Sequence, residues 1–285
     1  MAGTVGNIQV DAPVVLVGRN PSCSGTYSMA LDEYLFESAA RPGQHVWRLY
    51  RWDPPAVSIG RNQRVGEAVN QQIMKEQKIA MVRRPTGGRA IWHSGDICFT
   101  HAGTTPGKAE SVSSFKDDYM RAAHVVVGFL DALGIEAKIS AGHIGGKMPG
   151  GALKAPCFQS PGRFEITVGG KKIAGIAQYR AGERFLIQGS IRLSEMDRRC
   201  KSLFFGDDDN ARTSYDRFLA SVTSIEDELR RNVDWDRLVE SFSVVAGGES
   251  ECAVDPEDPE SDIDLAEVQT LEEKKYRNSR WNGRL

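Results

Sequence analysis

The first clear rhythm in the chain is helical. In TYSMALDEYLFESA (26–39), Met29, Leu31, Tyr34, Leu35 and Phe36 recur at helical spacing, so a helix with one inward face is predicted there. Strand patterns follow in HVWRLYRW (45–52) and AVSIG (56–60), separated by Asp53-Pro54-Pro55, a turn in which neither proline can donate to a ladder. A helical EAVNQQIMKEQ (67–77) leads to the strand IAMVRR, the turn PTGG, and the strands RAIWH and ICFTH. Ser114–Leu133 places Phe115, Tyr119, Ala122, Val126, Phe129 and Leu130 on or near one face, a long amphipathic helix that ends at Gly134.

The next stretch, AGHIGGKMPGGALKAP (141–156), is too rich in glycine and too poor in large apolar residues for a packed element. A mobile loop is expected, with Cys157 at its exit. FEITVGG and KKIAGIAQYR predict a hairpin around Gly169-Gly170, and RFLIQGSIRL a further strand. Beyond Ser194 the pattern turns helical through SYDRFLASV, SIEDELRRNV and DWDRLVESFSVVA. The whole predicts an α+β fold: a mixed, mainly antiparallel sheet that carries the site, with helices over its other face. The expected division is a catalytic domain over 14–246, an acidic, proline-bearing linker or loop over 247–262, and a C-terminal helix over 263–285.

Composition narrows the function classes. A chain of 285 residues, 40% hydrophobic, can bury one large core or two modest ones. A net charge of -2 argues against a general nucleic-acid or membrane-surface binder, so any charged partner must be met by a local patch. No apolar run approaches the roughly 20 residues that span a bilayer. Five irregularly spaced cysteines and the absence of a signal-peptide pattern predict a reducing, cytoplasmic setting with free thiols.

Chemistry concentrates in RRPTGGRAIWH (83–93). Adjacent Arg83 and Arg84 supply fixed forks of donors, and Gly87-Gly88 lets backbone amides approach a phosphate or acyl carbonyl. A hairpin turn with solvated arginines accounts for the same residues. The later glycines do not form a phosphate loop, because Ala141 stands where the first glycine belongs and Met148 follows Gly146-Lys147. Strand alternation sends Cys98 and His101 to opposite faces, so no metal site is expected despite nearby His93. Cys157 reads two ways on residues alone. Cysteine is often a small buried residue, yet Pro156 and the positive charge of Lys154, Lys171 and Lys172 suit a reactive thiolate.

These blocks together resemble a family. RRPTGGRAIWH, MALDEYL, WRLYRWDPPAVSIGRNQ, KKIAGIAQYR and the terminal KKYRNSRWN are similar, in order, to the blocks of the lipoate-protein ligase and octanoyltransferase superfamily, related to the biotin-protein ligase catalytic domain. PCFQSPGRFE resembles the nucleophile block of its cysteine-dependent octanoyltransferase branch, and Arg89 also looks like that branch. The resemblance implies Cys157 as nucleophile and Lys172 as the lysine shared across the superfamily. It implies Arg83, Arg84, Thr86, Gly87, Gly88, His93 and Gly175 as substrate-binding positions. The chain departs from the pattern at Ser94, where aspartate usually follows the histidine; Asp96 lies two positions on.

The implied reaction takes an octanoyl or lipoyl group from acyl carrier protein, holds it on Cys157, and passes it to a lysine of a lipoyl-domain protein such as the glycine cleavage H protein or a 2-oxoacid dehydrogenase subunit. No cofactor is needed for that exchange. An ATP-dependent lipoate-protein ligase, a transferase acting between lipoyl domains, and a non-catalytic binder of either carrier are the alternatives. Val57, Ile59, Ile91 and Ile97 are expected walls for the acyl tail, and Arg83, Arg84, Arg89, Lys147 and Lys154 an expected basic surface for an acidic carrier.

Overall fold

The computed structural model describes residues 14–16, 22–38, 45–105, 112–141, 164–206, 208–247 and 263–284. Cys157, Lys147, Lys154, residues 142–156 of the glycine-rich segment and residues 248–262 of the acidic one lie outside the described residues. The first elements in chain order are β1 (Val14–Leu16), β2 (Ser22–Cys23), α1 (Gly25–Ser38), β3 (His45–Trp52), β4 (Ala56–Ile59), α2 (Val65–Ala68), α3 (Gln71–Glu76), β5 (Ala80–Arg83), β6 (Ile91–His93) and β7 (Asp96–Thr104). Then come α4 (Val112–Ala132), β8 (Lys138–Ala141), β9 (Phe164–Val168), β10 (Lys171–Ala181) and β11 (Arg184–Arg192). The C-terminal part holds α5 (Arg199–Phe204), α6 (Asp209–Ala220), α7 (Ile225–Leu229), α8 (Trp235–Gly247), α9 (Leu265–Leu271), a π-helical turn over Glu272–Tyr276, and α10 (Ser279–Asn282). Among the described residues no helix is long and apolar enough to cross a membrane.

The large sheet runs β1-β3-β7-β11-β10-β9-β8, with β2 beside β3. Its neighbours from β3 to β8 are antiparallel, and β1 and β2 join β3 in parallel. Period-two alternation sorts its side chains. Trp47, Leu49, Ile97, Phe99, Ile187 and Ile191 face α4 and α8, while Tyr50, Trp52, Cys98, Ala102 and Leu186 face α1. The expected α+β fold with a mainly antiparallel sheet is therefore present. Helices lie on both faces, however, since α1 packs on the face opposite α4.

Three local expectations change. β4, β5 and β6 form a separate three-stranded sheet, because Val57 and Ile59 seed a core of their own with Trp92, Leu203, Phe204 and Phe218. The single helix expected at 67–77 divides into α2 and α3, where the Asn70 side chain accepts from the amides of Gln72 and Ile73 and starts a new helix. The expected C-terminal helix is three short pieces that together form a strap.

That strap is tied down at both ends. Toward α1, Val268 and Tyr276 are fully buried, Tyr276 donates to Glu33 at 2.7 Å, and Thr26 donates to Glu272 at 2.6 Å. Toward β5, the fully buried Arg83 guanidinium donates to the carbonyls of Gly60, Arg61 and Gln63 with one nitrogen, of Asn282 and Arg284 with another, and of Trp281 through Nε. Trp281 Nε1 returns a bond to the Arg83 carbonyl at 2.8 Å. Arg83 is thus committed to its own chain.

Lysine has three donors on one nitrogen and cannot point into two carbonyl clusters at once. Arg83→Lys is expected to cost about 2–4 kcal/mol and to expose the strap amides to hydrogen exchange before the sheet opens. Wild-type protection of residues 265–282 in that variant would show that the carbonyls do not need the guanidinium.

On the α4 side, His45 Nδ1 and His101 Nε2 lie 2.9 Å apart, and His101 stacks on Trp47 at 3.7 Å. Burial, then Arg121, lowers His45 to about 4; burial, then His45 and Arg121, holds His101 well below the ordinary imidazole value. Unfolded rings take protons near pH 6.5, so the unfolded chain binds more protons between there and about pH 4. Stability is full above pH 6.5 and falls as pH drops through that window, by about 3 kcal/mol for His45 alone. Urea melts at pH 7 and pH 5 should show the drop, and a His45→Gln/His101→Gln variant should flatten it. A slope surviving in that variant would assign the acid lability to other groups.

Candidate active site

The two sheets leave a cleft between them, with about 390 Å³ of atom-free space, part of it open to solvent. Met29 of α1, Trp52 of β3, Ile91 of β6, and Ile176 and Ala177 of β10 give it apolar surface. Of the four expected wall residues only Ile91 lines it. Val57 and Ile59 point into the core of the small sheet and Ile97 toward α4, because each sits in the opposite register of its strand.

Polar residues also line the cleft, and most of their hydrogen bonds are made to one another or to the chain around them. Arg84 donates through Nε and Nη2 to the Gly87 carbonyl at 3.1 and 2.8 Å, through Nη2 to the Arg89 carbonyl at 2.7 Å, and through Nη1 to Ser58 Oγ at 3.0 Å. It thereby shapes the glycine turn and closes one side of the cleft. The turn also needs its glycines: Gly88 has φ +92°, and a Cβ on Gly60 would stand 2.0 Å from the Gly88 carbonyl oxygen.

From Ser58 the chain of bonds continues inward. Ser58 Oγ is 2.8 Å from His93 Nε2, and His93 Nδ1 is 2.7 Å from Asp96 Oδ2. Ser190 donates to the same carboxylate oxygen at 2.6 Å, and Trp52 stacks on the imidazole at 3.9 Å. Burial raises the Asp96 carboxyl, but His93, the Ser190 bond and Arg192 outweigh it and hold it below its ordinary value. Asp96 accepts from His93 Nδ1, and Ser58 Oγ, which accepts from Arg84, bonds the other ring nitrogen. Asp96 supplies the partner that Ser94 does not.

Cys98 Sγ lies 3.4 Å from His93 Nδ1 and 3.6 Å from Asp96, so His93, Asp96 and Cys98 cluster as three groups able to ligate a metal. The His–Asp separation of 2.7 Å is that of a hydrogen bond, shorter than two ligands of one tetrahedral ion would hold. Burial, then Asp96, drives the Cys98 thiol well above its ordinary value, which keeps it protonated. His101 points to the other face, as alternation requires.

A second network supports the floor. Thr86 donates to Gln188 at 2.7 Å, Gln188 to Asp32 at 2.6 Å, and Asp32 also receives Arg48 at 2.8 Å and Tyr50 at 2.9 Å. Thr86 is fully buried and acts through Gln188, which lines the cleft. Gly175 lines the cleft directly, and its Cα faces Lys172, whose Nζ would stand 3.9 Å from a Cβ built there. Lys172 is largely buried and pairs with Glu165 at 3.1 Å. Arg84, His93 and Gly175 are thus brought to the cleft, with Thr86, Gly87, Gly88 and Lys172 around it. Arg83 faces the strap instead.

Ser58, Gln188, Ser190 and Asp32 are site-building residues that the sequence pattern did not single out, whereas Asp96 stands two positions from the departure at Ser94. Their signal was present as polar residues in otherwise apolar registers: Ser58 between Val57 and Ile59, Gln188 and Ser190 inside FLIQGSI, and Asp32 on the apolar face of MALDEYL.

Residues 24–244 match the lipoyl protein ligase A/B catalytic domain. Octanoyltransferase LipM of Bacillus cereus is 30% identical over 272 residues, which cover 91% of this chain and 94% of that protein. Octanoyltransferase LipM of Lysinibacillus sphaericus is 32% identical over 274 residues, covering 91% and 95%. A solved structure of a putative lipoate protein ligase from T. acidophilum with bound lipoic acid superposes with a TM-score of 0.68 at 21% identity, over 96% of this chain and 99% of that one. P. falciparum LipL1 in complex with lipoate gives 0.64 at 18%, over 96% and 74%. The structures establish a shared fold; the sequence match over most of the chain establishes that this protein belongs to the lipoyl protein ligase A/B catalytic domain family.

Proposed function

We propose that the chain is an octanoyltransferase that takes an octanoyl group from acyl carrier protein and delivers it to a lysine of a lipoyl-domain protein through a Cys157 thioester. Full-length relatives named octanoyltransferase support octanoyl transfer. The observation that carries the site is Lys172, whose amine lies over Gly175 at the apolar cleft.

In the first step Cys157 sulfur attacks the donor's thioester carbon. The bond to the carrier's sulfur breaks, and the proton lost by the Cys157 thiol ends on the released carrier thiol. In the second step the acceptor lysine's amine attacks the Cys157 thioester, an amide forms, and the amine's proton leaves with Cys157 as its thiol. One thioester exchanges for another and then becomes a more stable amide, so the sequence runs without ATP. Lys172 supplies hydrogen bonds to the acyl carbonyl, and the amides around Gly87 and Gly88 oppose charge on its oxygen.

The cleft suits an unbranched tail. Six methylenes and a methyl contribute about 5 kcal/mol when buried. Arg84, Ser58, His93, Asp96 and Ser190 already satisfy one another, so an apolar chain can lie against them without stranding a polar group. In this reading the acceptor is a lipoyl-domain protein such as the glycine cleavage H protein or a 2-oxoacid dehydrogenase subunit, and the reaction takes place in the cytoplasm.

Intact-mass spectrometry after mixing with octanoyl carrier protein, with ATP omitted, tests the reading. The wild type should gain one octanoyl group, Cys157→Ser none, and Cys98→Ser the same as wild type. Lys172→Ala should slow acylation or transfer by roughly 10²–10⁴-fold, with Lys172→Arg keeping part of the first step. Transfer that requires ATP and leaves no adduct on Cys157 would replace the covalent mechanism with that of a ligase.

A further inference from the structure

We propose that the C-terminal strap is the docking face for the acyl donor, an acidic carrier protein presenting its acyl group on a long thioester arm; the inference rests on the transferase reading above. In a chain of net charge -2, residues 274–284 (KKYRNSRWNGR) hold Lys274, Lys275, Arg277, Arg280 and Arg284 and no acid. Arg83 and Arg84 are buried and cannot meet a partner, whereas Lys274, Arg277 and Arg280 are exposed. Lys275 is paired with Glu33 and Arg277 with Glu272. Lys274, Arg280, Arg61 and Arg284 contact no carboxylate among the described residues.

The strap's charges are continuous with the cleft. Arg284 lies 3.8 Å over the Trp281 ring and Lys275 4.1 Å, and Arg61 reaches the same ring at 5.9 Å. Arg61 also covers Tyr179 at 4.4 Å, and its amide bonds to the Thr86 carbonyl at the glycine turn. Tyr179 is two residues beyond Ala177, so both side chains leave β10 on the cleft side. Burial, then Arg61, lowers the Arg284 guanidinium; burial, then Arg284, lowers Arg83. Three guanidiniums crowd together here around carbonyls and rings, a repulsion that an anionic surface relieves.

Reach distinguishes the donor from the acceptor. Lys172 and Tyr179 are seven positions apart on β10, about 23 Å at a strand's rise. A lysine side chain is five bonds long, about 6 Å, so an acceptor must dock beside Lys172 itself. The pantetheine-type arm of an acyl carrier has more than a dozen bonds and spans on the order of 20 Å. A body seated on the strap can place its thioester at Lys172 only on such an arm.

The test compares steady-state KM for octanoyl carrier protein with KM for octanoyl-pantetheine, which has the arm without the protein. Lys274→Glu/Arg280→Glu should raise the carrier KM roughly tenfold, reduce its dependence on salt, and leave the octanoyl-pantetheine KM and kcat unchanged. A control of equal charge change on the α4–α8 side, Arg231→Glu/Arg237→Glu, should leave the carrier KM near wild type. An unchanged carrier KM in the strap variant overturns the inference, as does an equal loss with both donors, which would mark the strap as structural. A rise confined to the KM of the lipoyl-domain acceptor assigns the face to the wrong partner and overturns it too. A wild-type chain that acylates from neither donor refutes the transferase reading instead, so the two failures are separable.

Discussion

A guanidinium taken out of water must find acceptors for five N–H groups, and this fold is built around two that sit next to each other. Arg83 and Arg84 leave one strand end in opposite directions. Arg83 gathers carbonyls from the end of β4 and from the strap, while Arg84 gathers the carbonyls of the glycine turn and the Ser58 hydroxyl. The acceptors around both are mainly carbonyl oxygens. Carbonyl dipoles therefore carry the compensation, and segments far apart in sequence are brought to one place because each contributes an oxygen. The glycine turn, the small sheet and the chain's last residues are positioned by that requirement.

The same rule shapes the cleft from the other side. Asp96 and Asp32 are buried carboxylates, and each collects several donors: His93 and Ser190 for one, Arg48, Tyr50 and Gln188 for the other. Removing one member of such a set leaves a buried charge short of partners, which costs more than the intact set contributes. Rigid walls are the benefit. A pocket most of whose polar groups already point at one another keeps its shape when empty, and in the proposed reaction it would offer a long acyl chain chiefly dispersion and dry surface.

Much of this was legible in the chain. α1, β3 through β7, α4 and the β9–β10 hairpin follow from periods of 3.6 and two, and the family blocks locate the glycine turn and Lys172. What periodicity could not supply was destination. Val57 and Ile59 are apolar and on a strand beside the site, yet they face away from it, because a second sheet needs its own core; the unremarked Ser58 faces the cleft. Arg83 and Arg84 look equivalent in sequence, and alternation gives them opposite faces without saying which face is wet. The partner of Arg83 lies some 200 positions away, and no local pattern announces an arginine that binds carbonyls. Asn70 is a smaller case, where one side-chain cap divided a run that reads as continuous helix.

Two groups of charge contrast within the fold, one beside the cleft and one on the strap. Beside the cleft Lys172 is tethered to Glu165 and lies next to Gly175, and in the proposed reaction it is close enough to orient the acyl oxygen. On the strap and beside it, Lys274, Arg280, Arg284 and Arg61 pair with no carboxylate among the described residues, in a chain that is slightly acidic as a whole. A charge in water between exposed groups is screened within about 10 Å, so the strap can steer a large partner without disturbing the reacting atoms some two Debye lengths away. In the proposed transferase, separating the charges that recruit from the charge beside the reacting carbonyl would hold a carrier at the protein's edge while the cleft stays matched to a neutral tail.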